Sequence, residues 1–95
     1  MTFDTADWYE IMVAGISQGS QHWIERISDD WPARLKANQA IRIQMAGGDR
    51  ATVTLYTFKR AWSRLGYETL ADHEWDADHA DWALQTALFG DVVAS

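Results

Sequence analysis

The chain contains no cysteine and only one proline, and it has no long hydrophobic run. Without cysteine it can form no disulfide, no thiolate metal site and no cysteine nucleophile, a composition that fits the cytoplasm. The longest stretch without acidic or basic residues, IMVAGISQGSQHWI between Glu10 and Glu25, is too short and too polar to cross a bilayer. The opening MTFDTADWYE lacks the basic and apolar segments of a secretory signal. These absences predict a cytoplasmic protein that does not contact a membrane.

Sequence motifs of catalysis are also missing, since no HExxH, GxSxG, P-loop or dinucleotide-binding glycine motif is present. One segment, HEWDADH, concentrates groups that could bind magnesium, although its spacing matches no familiar zinc site. Its candidate ligands are His73, Glu74, Asp76, Asp78 and His79. The alternative, which we favour, is that the aspartates only open a helix. We therefore predict no catalytic residue, no metal ion and no cofactor.

What the chain does contain is enough apolar surface for one domain over residues 1–95, with 47% hydrophobic residues and six tryptophans. Its net charge of −6 is distributed unevenly. Residues 1–30 hold six acids and one base, residues 31–66 hold seven bases and one acid, and residues 67–95 hold seven acids and no base. Such a distribution marks a surface for a charged partner, or termini that fold against the middle and partly neutralise it.

The fold class predicted from periodicity is α+β. Apolar residues at three- and four-residue spacing predict an N-terminal helix, capped by Asp4 or Thr5. Gly15 and Gly19 share a face of this helix and either admit another backbone closely or end the helix. We favour an end between residues 17 and 19. Residues 20–30 fit both a helical face and a poor strand alternation, so periodicity does not decide between helix and strand there.

A β-hairpin over about residues 40–56 is indicated by two alternating runs around Gly47–Gly48–Asp49. One face of the hairpin is predicted to be apolar and the other polar. The apolar face carries Ile41, Ile43 and Met45 with Val53 and Leu55 opposite them, and the polar face carries Arg42, Gln44, Thr52 and Thr54.

Two C-terminal helices are predicted to cover one face of this small antiparallel sheet. The first begins at Thr54 or Thr57 and stops at Gly66, and the second begins with Asp76 as its N-cap and stops at Gly90. His79 stands where Glu or Gln would complete a capping box, so only a partial cap is expected. Residues 91–95 form a short tail that could pair as an edge strand.

Tryptophans and carboxylates provide the candidate interaction surface. Trp8, Trp23 and Trp62 fit apolar stripes and belong to the predicted core, whereas the other three tryptophans do not fit them cleanly. A cluster of carboxylates precedes and opens the last helix, and it could occupy a basic groove on a partner. These carboxylates are Glu68, Asp72, Glu74, Asp76, Asp78 and Asp81. Alternatively, the same residues form an ordinary solvent-exposed acidic face that binds no partner.

The basic middle of the chain supports a different interpretation. Arg42 on the outer strand face could follow a phosphate backbone together with basic residues nearby in sequence, and Tyr56 and Trp62 could add stacking. These basic residues are Arg34, Lys36, Lys59, Arg60 and Arg64. Against this, a sequence pI near 4.7 is far from the basic footprint of most nucleic-acid binders.

The C-terminal stretch WDADHADWALQTALFGDVV resembles the ending of a family of small proteins from actinobacterial phages and mobile elements. Members of that family finish with a DAxxADxxxQxxLFG[DE]VV type of motif, and this chain departs from them by ending in VVAS instead of an aromatic–glycine pair. The matching positions are Asp76, Ala77, Ala80, Asp81, Gln85, Leu88, Phe89, Gly90, Asp91, Val92 and Val93. The resemblance implies a phage setting, in which small acidic proteins such as anti-CRISPR proteins inhibit host machinery, and it carries over no catalytic or ligand-binding residue.

We therefore predict a non-enzymatic phage or mobile-element protein that acts in the host cytoplasm. It would inhibit a host protein or nucleoprotein complex by occlusion. The residues predicted to carry this contact are Glu68, Asp72, Glu74, Trp75, Asp78, Trp82 and Trp31. The alternative is a nucleic-acid-associated regulator that uses the basic middle segment.

Overall fold

The computed structural model describes residues 4–71 and 73–90. It confirms the predicted α+β class, with an N-terminal helix, a small antiparallel sheet and two C-terminal helices. A further short helix lies between the first two strands. The helices are α1 (Thr5–His22), α2 (Trp31–Lys36), α3 (Leu55–Arg64) and α4 (Ala77–Phe89), and the strands are β1 (Ile24–Ile27), β2 (Ile41–Met45) and β3 (Arg50–Val53). The strands pair antiparallel in chain order. The tail predicted as an edge strand, residues 91–95, lies outside the described residues.

Helix α1 runs to His22, so the predicted end between residues 17 and 19 is wrong. The helix continues through both glycines because its packing against α4 depends on one of them. A Cβ atom at Gly15 would lie 2.7 Å from the backbone oxygen of Ala80. Close approach of the two helices thus offsets the intrinsic cost of glycine, about 1 kcal/mol per residue. At the other end Asp4 and Asp7 form a reciprocal capping box.

Residues 20–30 contain the end of a helix, a strand and a turn, which is why no single period fits them. Strand β1 pairs with β2 through Ile24↔Met45 and Ile27↔Ile43, and the register shifts between residues 24 and 26. Ile24 and Ile27, three residues apart, would face opposite ways in a regular strand. The bulge supplies one extra residue, so both isoleucines pack against the core while Glu25 and Arg26 stay exposed.

The predicted hairpin is present, with β2 and β3 joined through Gly47 and Gly48, both at positive φ. Ile41 lies opposite Val53, and both are buried with Ile43 on the inner face. Leu55 does not continue the strand as predicted, because Thr54 leaves the sheet to cap α3. The Thr54 hydroxyl oxygen accepts the Thr57 backbone N–H at 3.1 Å. In return, the Thr57 hydroxyl oxygen accepts the Thr54 backbone N–H at 2.9 Å.

Helix α4 begins as predicted with Asp76, whose Oδ1 accepts the backbone N–H groups of Asp78 at 2.9 Å and His79 at 3.2 Å. The expectation of a partial cap is wrong. The Nδ1 atom of His79 accepts the backbone N–H of Asp76 at 3.1 Å, so a histidine completes the box that Glu or Gln usually forms. Gly90 ends the helix in the left-handed conformation, and Gly66 does the same after α3.

One hydrophobic core lies between the sheet and the helices. Helices α1 and α4 share the most extensive helix–helix interface of the described elements, and α3 packs on α4. Trp8, Trp23 and Trp62 are all buried, as predicted. Trp8 meets Trp62 edge to face with ring centroids 5.9 Å apart. Among the described residues no helix is long and apolar enough to cross a membrane.

Candidate binding surfaces

The predicted acidic surface is only partly a free display of charge. Glu68 is exposed in the 3₁₀ turn Tyr67–Thr69. Glu74 is exposed as well, but its Oε1 accepts the Ala71 backbone N–H at 2.8 Å. Asp78 lies in the first turn of α4 and accepts a hydrogen bond from the Gln18 side chain at 3.0 Å. Asp72 lies outside the described residues. Glu74 and Asp78 therefore also serve the structure of the fold.

Asp81 does not belong to the surface on which its neighbours were placed. Its side chain is only 6% exposed, and its Oδ1 accepts hydrogen bonds from the Trp23 indole Nε1–H and the Gln85 side-chain amide. The expectation that Asp81 adds to an acidic display is wrong. Residue type alone predicted exposure, and the partner that explains its burial lies on a distant part of the chain.

The three tryptophans proposed for a partner surface are half-buried rather than exposed. Trp75 packs edge-on against the core residue Trp62, with ring centroids 6.2 Å apart. Trp82 packs edge-on against His79 at 5.8 Å. Trp31 opens α2 and packs against the core. Each ring thus keeps an accessible part, and Trp75 and Trp82 lie beside the acidic start of α4.

The start of α4 also has an organised electrostatic environment. Hydrogen bonding of the Asp76 carboxylate to the His79 backbone N–H, and further to that of Asp78, lowers the pKa of Asp76. Partial burial, together with the negative charge of Asp76, raises the pKa of the Tyr67 phenol. The Tyr67 ring stands edge-on to His79 at 5.0 Å. The described residues include no group of three or more His, Asp or Glu placed to hold a metal ion.

The outer face of the sheet carries a second and different surface. Strand pairing aligns Arg26 with Gln44 and Gln44 with Arg50, which gives one row across all three strands. The next row places Arg42 opposite Thr52. Adjacent paired Cα atoms are about 5 Å apart, so three guanidinium-bearing residues start within about 10 Å of one another. Every side chain of these two rows can donate a hydrogen bond.

These side chains line a cleft of about 640 Å³ between the sheet and the segment that leads into α2. Four arginines and two aspartates border the cleft, and one aspartate, Asp30, is paired with Arg34 at 2.8 Å. The other three arginines, Arg26, Arg42 and Arg50, are exposed, and none has a carboxylate within 4.0 Å among the described residues. The cleft is therefore net basic on a protein that is net acidic.

The basic residues of α3 lie apart from this cleft. None of Lys59, Arg60 and Arg64 lines it, although the sequence hypothesis grouped them with Arg42. Lys59 and Arg60 instead lie over aromatic rings, with the Lys59 Nζ 5.9 Å from the Trp8 ring and the Arg60 guanidinium 5.9 Å from the Tyr56 ring. Of the proposed stacking residues, Tyr56 is exposed and Trp62 is fully buried.

Comparison of the chain with protein-family models, with curated proteins and with solved structures finds no significant match. The phage-family resemblance of the C-terminal motif stays a prediction.

Sequence reasoning missed Arg26 and Arg50 as members of one surface with Arg42. Arg50 follows the hairpin turn and could have been predicted from the sequence. The alternating pattern that placed Arg42 and Thr52 outward also places Arg50 outward. Arg26 could not be assigned, because the bulge reverses the alternation before it.

Proposed function

We propose that this protein is a non-enzymatic binding protein that contacts the phosphate backbone of nucleic acid through the arginine face. The arginine face is defined as Arg26, Arg42, Gln44, Arg50 and Thr52. The observation that supports it is the register of the sheet, which brings three exposed arginines into two rows whose side chains can all donate hydrogen bonds. None of the three has a carboxylate within 4.0 Å among the described residues.

Physical chemistry favours a polyanion over a single small anion at this face. Guanidinium groups bind phosphate through paired N–H donors, and three of them on one face match several successive phosphates. The three like charges repel one another in the free protein, and a bound polyanion relieves that repulsion. The sheet face carries no aromatic side chain, so backbone contacts would dominate over base stacking.

A charge-matched pair of variants tests this proposal. The triple variant Arg26→Gln, Arg42→Gln and Arg50→Gln removes three positive charges from the arginine face. The control, Lys59→Gln, Arg60→Gln and Arg64→Gln, removes the same charge from α3, whose basic residues the sequence hypothesis grouped with Arg42. Fluorescence anisotropy with labelled single- and double-stranded oligonucleotides at low salt measures binding for each.

With the double-stranded oligonucleotide, the arginine-face variant should lose binding while the α3 variant keeps it. Three phosphate contacts to a duplex predict an affinity that falls about 40-fold between about 50 and about 200 mM salt for the unmodified protein. Equal losses in the two variants would show that only net charge matters. No binding by the unmodified protein at micromolar concentration would reject the proposal outright.

A second candidate is the occlusion of a host protein complex through the acidic start of α4. It is favoured by the half-buried Trp75 and Trp82 beside Glu74 and Asp78, since exposed parts of tryptophan at a charged rim are typical of binding hot spots. Affinity capture from a bacterial host lysate tests it, with Glu68→Gln, Glu74→Gln and Asp78→Asn as the disrupted triple variant. A stoichiometric partner that is kept by the arginine-face variant and lost by the acidic variant would support occlusion. Equal capture by both variants contradicts it.

A further inference from the structure

A second cavity lies where α1, the end of α2 and the start of α3 meet. It has a volume of about 310 Å³, at the small end of the range for small-molecule sites of about 300–1,000 Å³. Its lining is mixed, with three apolar or aromatic residues and three residues that carry an amide or ammonium group. The lining residues are Trp8, Lys36, Asn38, Leu55, Tyr56 and Lys59. None of them belongs to the arginine face.

The backbone around this cavity is firmly fixed. Helix α2 ends in a Schellman motif, in which the Asn38 N–H donates to the Leu35 carbonyl at 3.0 Å and the Gln39 N–H donates to the Arg34 carbonyl at 2.8 Å. Asn38 takes the left-handed conformation that this motif requires, with φ of 59°. On the opposite side, the capping box of α3 fixes the turn that presents Leu55 and Tyr56. The cavity is therefore preorganised on two sides by helix ends.

Aromatic rings and ammonium groups are combined at its rim. Tyr56 is 62% exposed, so its ring is accessible from solvent beside the buried residues Trp8 and Leu55. The Lys59 Nζ lies 5.9 Å from the Trp8 ring centre, and the Lys36 Nζ lies 5.0 Å from the Tyr9 ring centre. No Asp or Glu is among the described residues that line the cavity, and neither ammonium has a carboxylate within 4.0 Å among them.

We propose that this cavity binds a planar aromatic ring that carries a phosphate group, the chemistry of a nucleoside monophosphate. The exposed Tyr56 ring, which has the Arg60 guanidinium 5.9 Å from its centre, supplies a stacking surface, and Leu55 and Trp8 form the apolar wall beside it. The Lys36 and Lys59 ammonium groups, which approach the cavity from different helices, bind the phosphate. The Asn38 side-chain amide offers a donor and an acceptor for the edge of the ring.

The test compares adenosine 5′-monophosphate with its two parts, adenosine and inorganic phosphate, by NMR titration of the ¹⁵N-labelled protein. AMP should shift the Trp8 indole N–H and the Asn38 backbone amide in a saturable way, and each part alone should bind at least about tenfold more weakly. Lys59→Gln and Lys36→Gln should each weaken AMP binding about tenfold. Tyr56→Phe should keep the binding, whereas Tyr56→Ala should lose most of it.

Arg64→Gln is the matched control, because it removes one exposed positive charge from the same helix outside the cavity. The arginine-face variant should bind AMP unchanged, so failure of the proposed nucleic-acid function and failure of this site are separate results. Absence of saturable AMP shifts at millimolar concentration overturns the proposal. So do equal affinities for AMP and inorganic phosphate, or a loss in Arg64→Gln as large as that in Lys59→Gln. The spectrum of each free variant confirms its fold before titration.

Discussion

The carboxylate of Asp81 is buried between α1 and α4 without a cationic partner among the described residues. Burying a carboxylate is costly unless hydrogen bonds replace its water. Here the Trp23 indole and the Gln85 amide provide that replacement. Because Trp23 is buried as well, its N–H depends on Asp81 in turn. This hydrogen bond joins the end of α1 to α4, and because both residues are buried, water cannot substitute for either partner.

Asp81→Ala should therefore destabilise the protein by about 1–3 kcal/mol, because it leaves the buried Trp23 N–H without an acceptor. Asp81→Asn keeps an oxygen in nearly the same place and should cost clearly less. Urea denaturation followed by far-UV circular dichroism measures both free energies of unfolding. If the alanine variant were as stable as the asparagine variant, the hydrogen bond would contribute little to stability.

Among the secondary-structure elements, α4 depends on its N-cap most clearly. The Asp76 carboxylate accepts the backbone N–H groups of Asp78 and His79. The hydrogen bond from His79 is the main reason that the pKa of Asp76 is lowered. A lowered pKa in the folded state means that the ionised cap stabilises the fold above the unfolded pKa. That contribution is lost as the pH falls through the folded pKa, below about pH 4.

Two variants separate the contribution of the N-cap hydrogen bonds to stability from that of the Asp76 negative charge. Asp76→Ala should lose about 1 kcal/mol of stability at neutral pH, since it removes the N-cap acceptor. Asp76→Asn keeps an acceptor that does not titrate, so the unmodified protein should lose its advantage over this variant as the pH is lowered from 5 to about 2. Because the Asp76 side chain is 67% exposed, we expect the pH-dependent part to be small. Stability measured by urea denaturation across this pH range checks both, and a constant difference between the two proteins would contradict the assignment.

How much of each element could be predicted depends on whether its cause is local. The hairpin, α3 and α4 follow from signals within a few residues, such as Gly47–Gly48, the Thr54 cap and the Asp76 cap. The end of α1 and the strand β1 could not be predicted. Continuation of α1 past Gly15 depends on Ala80, and the outward direction of Arg26 depends on a bulge against β2.

The candidate surfaces show the same limit at the scale of the whole molecule. The sequence placed positive charge in residues 31–66, and the structure divides it among the sheet face, α2 and α3. Only strand pairing brings Arg26, from the acidic first third of the chain, into one row with Arg50. Conversely, folding withdraws Asp81 from the acidic segment. Net charge by segment therefore predicted that charged surfaces exist but not which residues compose them.

Stability of the whole molecule depends on the close crossing of α1 and α4. Gly15→Ala gains about 1 kcal/mol of helix propensity but forces a Cβ atom against the Ala80 backbone, where no flexible side chain can move aside. We expect a net loss of about 1–2 kcal/mol, since overpacking of this kind costs about 1–3 kcal/mol. Ser17→Ala, at an exposed position of the same helix, reports the propensity gain alone and should be neutral or slightly stabilising. Thermal unfolding of both variants decides, and an increase in Tm for Gly15→Ala would show that the helices can separate without cost.

The crossing of Gly15 over Ala80 also has a consequence for biosynthesis. A ribosome delivers α1 first, whereas its main packing partner is polymerised near the other end of the sequence. Until α4 has left the exit tunnel, α1, which carries the core residues Ile11, Met12 and Ile16, lacks its most extensive helix partner. The nascent chain therefore cannot complete its core before α4 emerges, and factors that shield apolar segments near the tunnel exit should bind it until then.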